Sequence, residues 1–379
     1  MRILYDYQIF QWQRVGGISN SFINLIQNLP STAEFQIGIK DSDNVHLKES
    51  GLVQVRPYSS EQNFLTNHYF YGKGYLFRWF SAIFPSINSR EVNRKYSIDL
   101  LKSGQFDVFH PTFFEDYFLP YLNKTPYVFT VHDMITEKFK TGDILQTNNK
   151  RILVEKASHI IAVSNNTKQD LMDIFNVPES KITVIYHGAS EIIPKKDFQV
   201  GIDNYILFVG QRGGYKNFIP MVKSLFPVLK RHQEIKILCT GMDFSSQERL
   251  FFKNNGLQDR ILHLTPSDEE LRTLYSNALC FVYPSLYEGF GIPILEAWKC
   301  GCPVILNKKS CFPEIAKDAA VYFTLDDDYS DLDKVMESFL TMSENDKELL
   351  LHRQNKRLQE FSWKKSAKML LDVYKGVLN

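Results

Sequence analysis

Short runs of apolar, β-branched or aromatic residues recur along the whole chain, each closed by a turn signal and followed by a stretch of helical periodicity. In the first half they fall at 2–5, 35–39, 108–110, 127–131, 160–163 and 183–186; in the second, at 205–209, 235–239, 260–264, 280–283, 304–306 and 321–323. A strand that reads as continuous apolar residues is buried on both faces, which is the condition of a parallel sheet covered by helices. Strand–helix alternation in both halves therefore predicts two doubly wound parallel α/β sheets. A chain of 379 residues with 44% hydrophobic and 14% aromatic content also exceeds what one core serves. The polar passage at 191–204, with Pro194, Lys195 and Lys196, reads as the linker.

Two strand-to-helix loops carry the chemistry. The run 278–283 is stopped by Pro284, and the chain then turns through Glu288, Gly289, Phe290, Gly291 and Ile292 into a helix with Pro293 at its first position. Glycines without Cβ let backbone N–H groups approach an anion, and the helix start adds its positive dipole end. A pyrophosphate fits there. Glu288 and Glu296 would repel it if they pointed inward, so sugar hydroxyls are their expected partners: the transferred sugar for Glu288 in the loop, the ribose for Glu296 in the first helical turn. The alternative is a helix entry with two solvated acids, since short motifs match by chance. The second loop follows 205–209 and runs from Gly210 to Asn217, holding Arg212 and Lys216. A guanidinium fork and a lysine point charge at the carboxyl edge of a sheet can neutralise a departing diphosphate without a metal. The spacing is not that of a Walker loop.

With these loops in place the chain resembles a retaining glycosyltransferase of family 4, with the E-x7-E motif formed by Glu288 and Glu296. Further matching pieces run in order: Gly16-Gly17-Ile18, Thr130 to Asp133, Ile160 to Ser164, Val184 to Gly188, the Arg212/Lys216 loop, Leu238 to Gly241 and Phe361 to Trp363. The resemblance implies the α/β GT-B fold, two Rossmann-like doubly wound parallel-sheet domains facing across a cleft. Residues 1–192 would form an acceptor-binding domain and 193–360 a nucleotide-sugar donor-binding domain, with a helix in 361–379 crossing back to the first. That segment has the apolar stripe for it: Trp363, Ala367, Leu370, Leu371 and Tyr374.

The resemblance also implies roles. Glu288, His132, Arg212 and Lys216 would be catalytic. Donor contacts would come from Gly16, Gly17, Gly210, Arg212, Lys216, Leu264, Glu288, Gly289, Phe290, Gly291, Ile292 and Glu296, with main chain near Leu264 holding the base. His132 would contact the donor sugar, and the backbone around Gly17 would approach the diphosphate from the opposite domain. The expected reaction moves a hexose, mannosyl-like, from a UDP- or GDP-sugar to a glycan or lipid-linked acceptor in cell-surface polysaccharide assembly, with no metal and no other cofactor. A nucleotide-sugar 2-epimerase of the same fold and a non-catalytic sugar-binding module are the alternatives. His187 and Gln211 depart from the family pattern and are expected to tune donor or acceptor.

Bulk properties bear on partners. A net charge of +1 argues against a nucleic-acid binder. Five cysteines at unsuited spacings read as reduced core residues of a cytoplasmic protein. The opening Met1 to Asp6 is too polar for a signal peptide, and no apolar run is long enough to span a bilayer. Asp326, Asp327 and Asp328 read as a solvated turn. Residues 64–96 interleave Phe64, Tyr69, Phe70, Tyr71, Tyr75, Phe77, Trp79, Phe80 and Phe84 with Lys73, Arg78, Arg90, Arg94 and Lys95. Two readings stand: a surface lying on anionic membrane, peripheral on the inner face, or a core-packing helix pair with a cationic outer face.

Overall fold

The computed structural model describes residues 1–65, 70–84, 87–141, 144–190, 199–327 and 329–378. Tyr69, Asp328, the 192/193 boundary and the linker residues Pro194, Lys195 and Lys196 lie outside the described residues. The chain forms two compact units. One comprises Met1–Val163, Thr167–Tyr186 and the segment from Trp363 on; the other comprises Ser164–Asn166 and His187–Ser362.

In the first unit, β1 (Arg2–Tyr5) lies between β2 (Glu34–Ile37) and β3 (Val108–His110), while β4 (Val128–Val131), β5 (His159–Ala162) and β6 (Ile182–Val184) form a second sheet in that order. All pairings are parallel, with Tyr5 opposite Ile37 on one side and His110 on the other. A parallel bridge between Phe109 and Tyr127 joins the two sheets. Helix Gly17–Gln27 buries Phe22, Ile23, Leu25 and Ile26. The helix Trp363–Gly376 returns to this unit and buries Trp363, Ala367, Leu370, Leu371 and Tyr374. Its Tyr374 hydroxyl lies 2.9 Å from the Tyr5 hydroxyl and 2.6 Å from Nδ1 of His110, whose Nε2 is 2.9 Å from Oγ1 of Thr130. Burial pushes the His110 pKa down to about 3, so this buried polar chain runs through a neutral imidazole.

The second unit is one parallel sheet of six strands. They are β7 (Tyr205–Phe208), β8 (Lys236–Cys239), β9 (Ile261–His263), β10 (Cys280–Tyr283), β11 (Val304–Asn307) and β12 (Val321–Phe323), in the order β12-β11-β10-β7-β8-β9. β7 opens the unit, β8 and β9 wind to one side of it, and β10 to β12 wind to the other. The winding direction thus reverses between β7 and β10, and open α/β sheets bind ligands beyond the carboxyl ends of strands at that point. Ile206, Phe208, Phe218, Ile237, Val282 and Ile305 belong to the core that fixes this sheet. Cys239, Cys280, Cys302 and Cys311 are buried and unbridged.

The aromatic stretch departs from a core-packing helix pair with a cationic outer face. Helix Lys73–Ile83 buries only Phe77 among its described side chains, and Tyr75, Trp79 and Ile83 face outward. No helix among the described residues is long and apolar enough to cross a membrane.

Candidate active site

The loop after β7 leaves the sheet at Gly210 with φ +107°. A Cβ on Gly241, in the loop after β8 at φ +98°, would lie 2.7 Å from the Gly210 carbonyl oxygen. The two loops therefore touch backbone to backbone, which only glycine permits. Beyond Gly210 the chain makes a 3-10 turn, Gly214–Lys216, and enters helix Phe218–Ser224 through Asn217 in the left-handed region. Arg212 sits nine-tenths buried over the Phe244 ring at 4.7 Å. Its Nε donates to Glu248 at 2.7 Å, and its two terminal nitrogens donate to the carbonyls of Met242 and Asp243 at 2.6 and 2.8 Å. In this arrangement the guanidinium joins the loop to the following βα connection.

Lys216 is placed differently. Its Nζ donates to Oε1 of Glu288 at 2.7 Å, so the two motif loops meet in one ion pair beyond β7 and β10. The Leu286 amide reinforces the junction by donating to the Tyr215 carbonyl at 2.8 Å. Ser310 pins Glu288 from the other side: its hydroxyl donates to the Glu288 carbonyl at 2.8 Å and accepts from the Glu288 amide at 3.2 Å. Burial and the Glu288 carboxylate raise the Tyr283 pKa, keeping its hydroxyl protonated as a further hydrogen-bond partner of Glu288. Beneath the loop, buried Asn307 donates to the carbonyls of Pro284 and Leu325 at 3.2 and 2.9 Å.

Gly291 turns the chain at φ +89° into helix Ile292–Lys299, and a Cβ there would meet Ile294 and Phe312 carbons at 3.1 and 3.2 Å. Pro293 is the second helical residue, so Glu296 is the fifth and opens the second turn, one position deeper than a helix starting at Pro293 would place it. The Tyr275 hydroxyl donates to Glu296 at 3.4 Å. Burial, followed by repulsion from Asp268, pushes the Glu296 pKa up to about 7. Phe290, beside Gly289, is buried against the His187 ring at 5.0 Å, and burial holds the His187 pKa down at about 3. The Leu264 amide donates to the Cys239 carbonyl at 3.0 Å, so any ligand contact from its peptide groups falls to its carbonyl.

In the first unit, Gly16 precedes helix Gly17–Gln27, and its carbonyl accepts from Asn20 at 3.1 Å. His132 follows β4 with its ring T-shaped to Phe22, centroids 5.7 Å apart. The loop that carries it is held from below: Lys150 Nζ donates to the Asp133 carbonyl at 3.2 Å and pairs with Glu137 at 2.9 Å, both side chains almost wholly buried.

The sequence reading did not find Glu248, Ser310, Asn307 or Lys150. Only Glu248 had a local signal. Ser245 and Glu248 form a capping box whose carboxylate also takes Arg212, and Ser-x-x-Glu before an apolar run marks such a box. The others act across 17 to 23 residues on main chain that sequence spacing does not place.

Residues 15–190 match the family described as Glycosyltransferase Family 4, and residues 190–356 that described as Glycosyl transferases group 1. Among curated relatives, the O-antigen chain mannosyltransferase RfbU of Salmonella typhimurium is 32% identical over 53% of this chain and 57% of its own length. The O-antigen chain mannosyltransferase B of Escherichia coli is 29% identical over 59% of this chain. The chain thus spans 57% and 61% of the length of these two relatives. Among solved structures, Anabaena Alr3699/HepE in complex with UDP and glucose superposes over 99% of this chain and 100% of its own, with TM-score 0.71 and 16% identity. The sucrose-phosphate synthase of Thermosynechococcus elongatus does so over 99% and 98%, with TM-score 0.67 and 16% identity.

Proposed function

Since this chain belongs to the family 4 glycosyltransferases and has their GT-B fold, we propose that it moves a hexose from a nucleoside diphosphate sugar to a glycan or lipid-linked acceptor. In this reading the sugar is mannosyl-like and the setting is cell-surface polysaccharide assembly at the inner face of the cytoplasmic membrane. The anomeric configuration is retained and no divalent ion is needed. The O-antigen mannosyltransferases support the sugar and the setting, and the solved UDP complexes support a nucleotide-sugar donor.

The observation that carries the reading is the 2.7 Å pair between Lys216 and Glu288 where the winding of the second sheet reverses. Breaking the sugar–phosphate bond builds negative charge on the diphosphate. Lys216 and the amides at the start of helix Ile292–Lys299 answer it, each such donor being worth ~2.7–4 kcal/mol of barrier. As Lys216 turns to phosphate it releases Glu288 to a hydroxyl of the transferred sugar. Arg212 shapes the loop from its Glu248 clamp and adds positive potential. Glu296 takes the ribose and the Leu264 main chain the base, while the first unit receives the acceptor. Gly16, Gly17 and His132 are assigned by resemblance. In a front-face substitution the acceptor oxygen bonds the anomeric carbon on the side the phosphate leaves, and its proton passes to the departing phosphate oxygen.

Thermal-shift titration with UDP, GDP, ADP, CDP and TDP tests the donor, because a ligand at about 100 times its Kd adds ~2.7 kcal/mol of stability. A response to GDP alone supports the mannosyl reading. Lys216→Ala and Glu288→Gln are expected to abolish transfer with melting curves intact, and EDTA to leave the wild-type rate unchanged. Unaltered rates in both variants would overturn the assignment; sugar isomerised without acceptor would make the protein an epimerase.

A further inference from the structure

We propose that helix Lys73–Ile83 is a membrane-contact element that lies on an anionic lipid surface by its outward aromatic face. Its inner face is already satisfied: Phe77 is buried, and Phe64 packs on Phe77 and Phe80 at 5.4 and 6.0 Å. Folding needs nothing more from this helix. Yet the opposite side carries Tyr75, Trp79 and Ile83 at i, i+4 and i+8, with Tyr75 74% and Trp79 60% exposed, and Tyr71, just before the Gly72 cap, is fully exposed as well. Leaving so much aromatic surface in water is unfavourable, and a contiguous row of this kind marks an interaction surface.

The occupant follows from residue type and charge. Tyr and Trp favour the headgroup level of a bilayer, where an apolar ring and a polar edge are both accommodated. The helix holds Lys73 and Arg78 and no acid. The Arg78 guanidinium lies 4.6 Å over the Tyr75 ring, so the charge and the aromatic anchor are presented together. Neither Lys73 nor Arg78 makes an ion pair among the described residues. On neighbouring elements, Arg90 is taken by Glu115 at 3.1 Å and Arg94 stacks over Tyr117, while Lys95 is exposed beside the acid Glu91. Glu61 sits over Gly74 in the first turn, away from the outward row. Apolar anchors flanked by unpaired cations fit anionic headgroups, each cation adding about 1 kcal/mol, or roughly fivefold in affinity.

Vesicle co-sedimentation of the full chain tests this, comparing phosphatidylcholine with phosphatidylcholine containing phosphatidylglycerol. The wild type is expected to bind the anionic vesicles. Tyr75→Ser with Trp79→Ser should weaken binding at least tenfold, and Arg78→Gln about fivefold on anionic vesicles alone. In a Trp12→Phe background, vesicle addition should shift Trp79 emission to the blue. Because these side chains face outward, melting temperature and transfer to a water-soluble acceptor should not change. This separates failure of the membrane reading from failure of the transferase reading. The proposal is overturned if the wild type ignores anionic vesicles, if the double variant binds them as well as the wild type, or if Trp79→Ser instead dissolves a dimer, in which case a second copy covers the face.

Discussion

Removing the charge of Glu288 and removing its partner should have opposite effects on ligand binding. Glu288→Gln takes away a carboxylate beside the proposed diphosphate and leaves Lys216 uncompensated, so nucleoside diphosphate should bind about tenfold tighter while turnover disappears. Lys216→Ala should lose both. Isothermal titration of the two variants checks the sign. Glu296 gives a second prediction through its pKa of about 7, raised mainly by burial. A ribose hydroxyl donates best to the ionised carboxylate, so nucleotide affinity should climb as pH rises through 7, and Glu296→Gln should flatten that climb. Stability runs the other way. The folded state holds the proton that the unfolded chain releases near pH 4.5, so this contribution is full below about 4.5 and is lost as pH rises to about 7. Wild-type melting should fall across that window more than that of Glu296→Gln. At this scale the sequence showed which residue types matter, and it put Arg212 and Lys216 together in one strand-to-helix loop. It could not show that Glu248 takes the guanidinium, because that depends on how the loops after β7 and β8 stack.

The elements were easier to read than their ends. The strand runs at 280–283 and 321–323 match β10 and β12 residue for residue, whereas 35–39 and 183–186 each sit one residue late at their start against β2 and β6. Burial on both faces marks a strand's middle, but its ends are set by which amides find ladder partners. Helix starts are legible where a side chain caps them. Ser267 and Glu270 form the box their spacing announces, and Ser267→Ala should cost about 1 kcal/mol by urea unfolding. Pro293 misled by one position because the left-handed Gly291, not the proline, sets the helix start. At the crossing of the two loops, Gly241→Ala should destabilise the second unit by about 3 kcal/mol, combining a positive φ with a carbonyl at 2.7 Å.

For the whole molecule, the division into two units and the return of the last helix follow from patterns spread over the full length, and the apolar stripe from Trp363 to Tyr374 is buried throughout. What that helix contributes beyond apolar surface was hidden, since Tyr5, His110 and Thr130 are far from Tyr374 in sequence. Tyr374→Phe should cost about 1–3 kcal/mol, because it strips partners from two buried polar groups, and chemical denaturation of the first unit should register it. Vectorial synthesis gives this return a further meaning. Domains commonly finish in the order in which they leave the ribosome. Here the amino-terminal sheet must wait, with the carboxyl ends of its first strands uncovered, until residues 363–376 emerge. The later-made sheet, contiguous from His187 to Ser362 apart from three residues, can mature first. A released chain truncated just before Trp363 should therefore carry a protease-resistant second unit and a first unit that chaperones still hold.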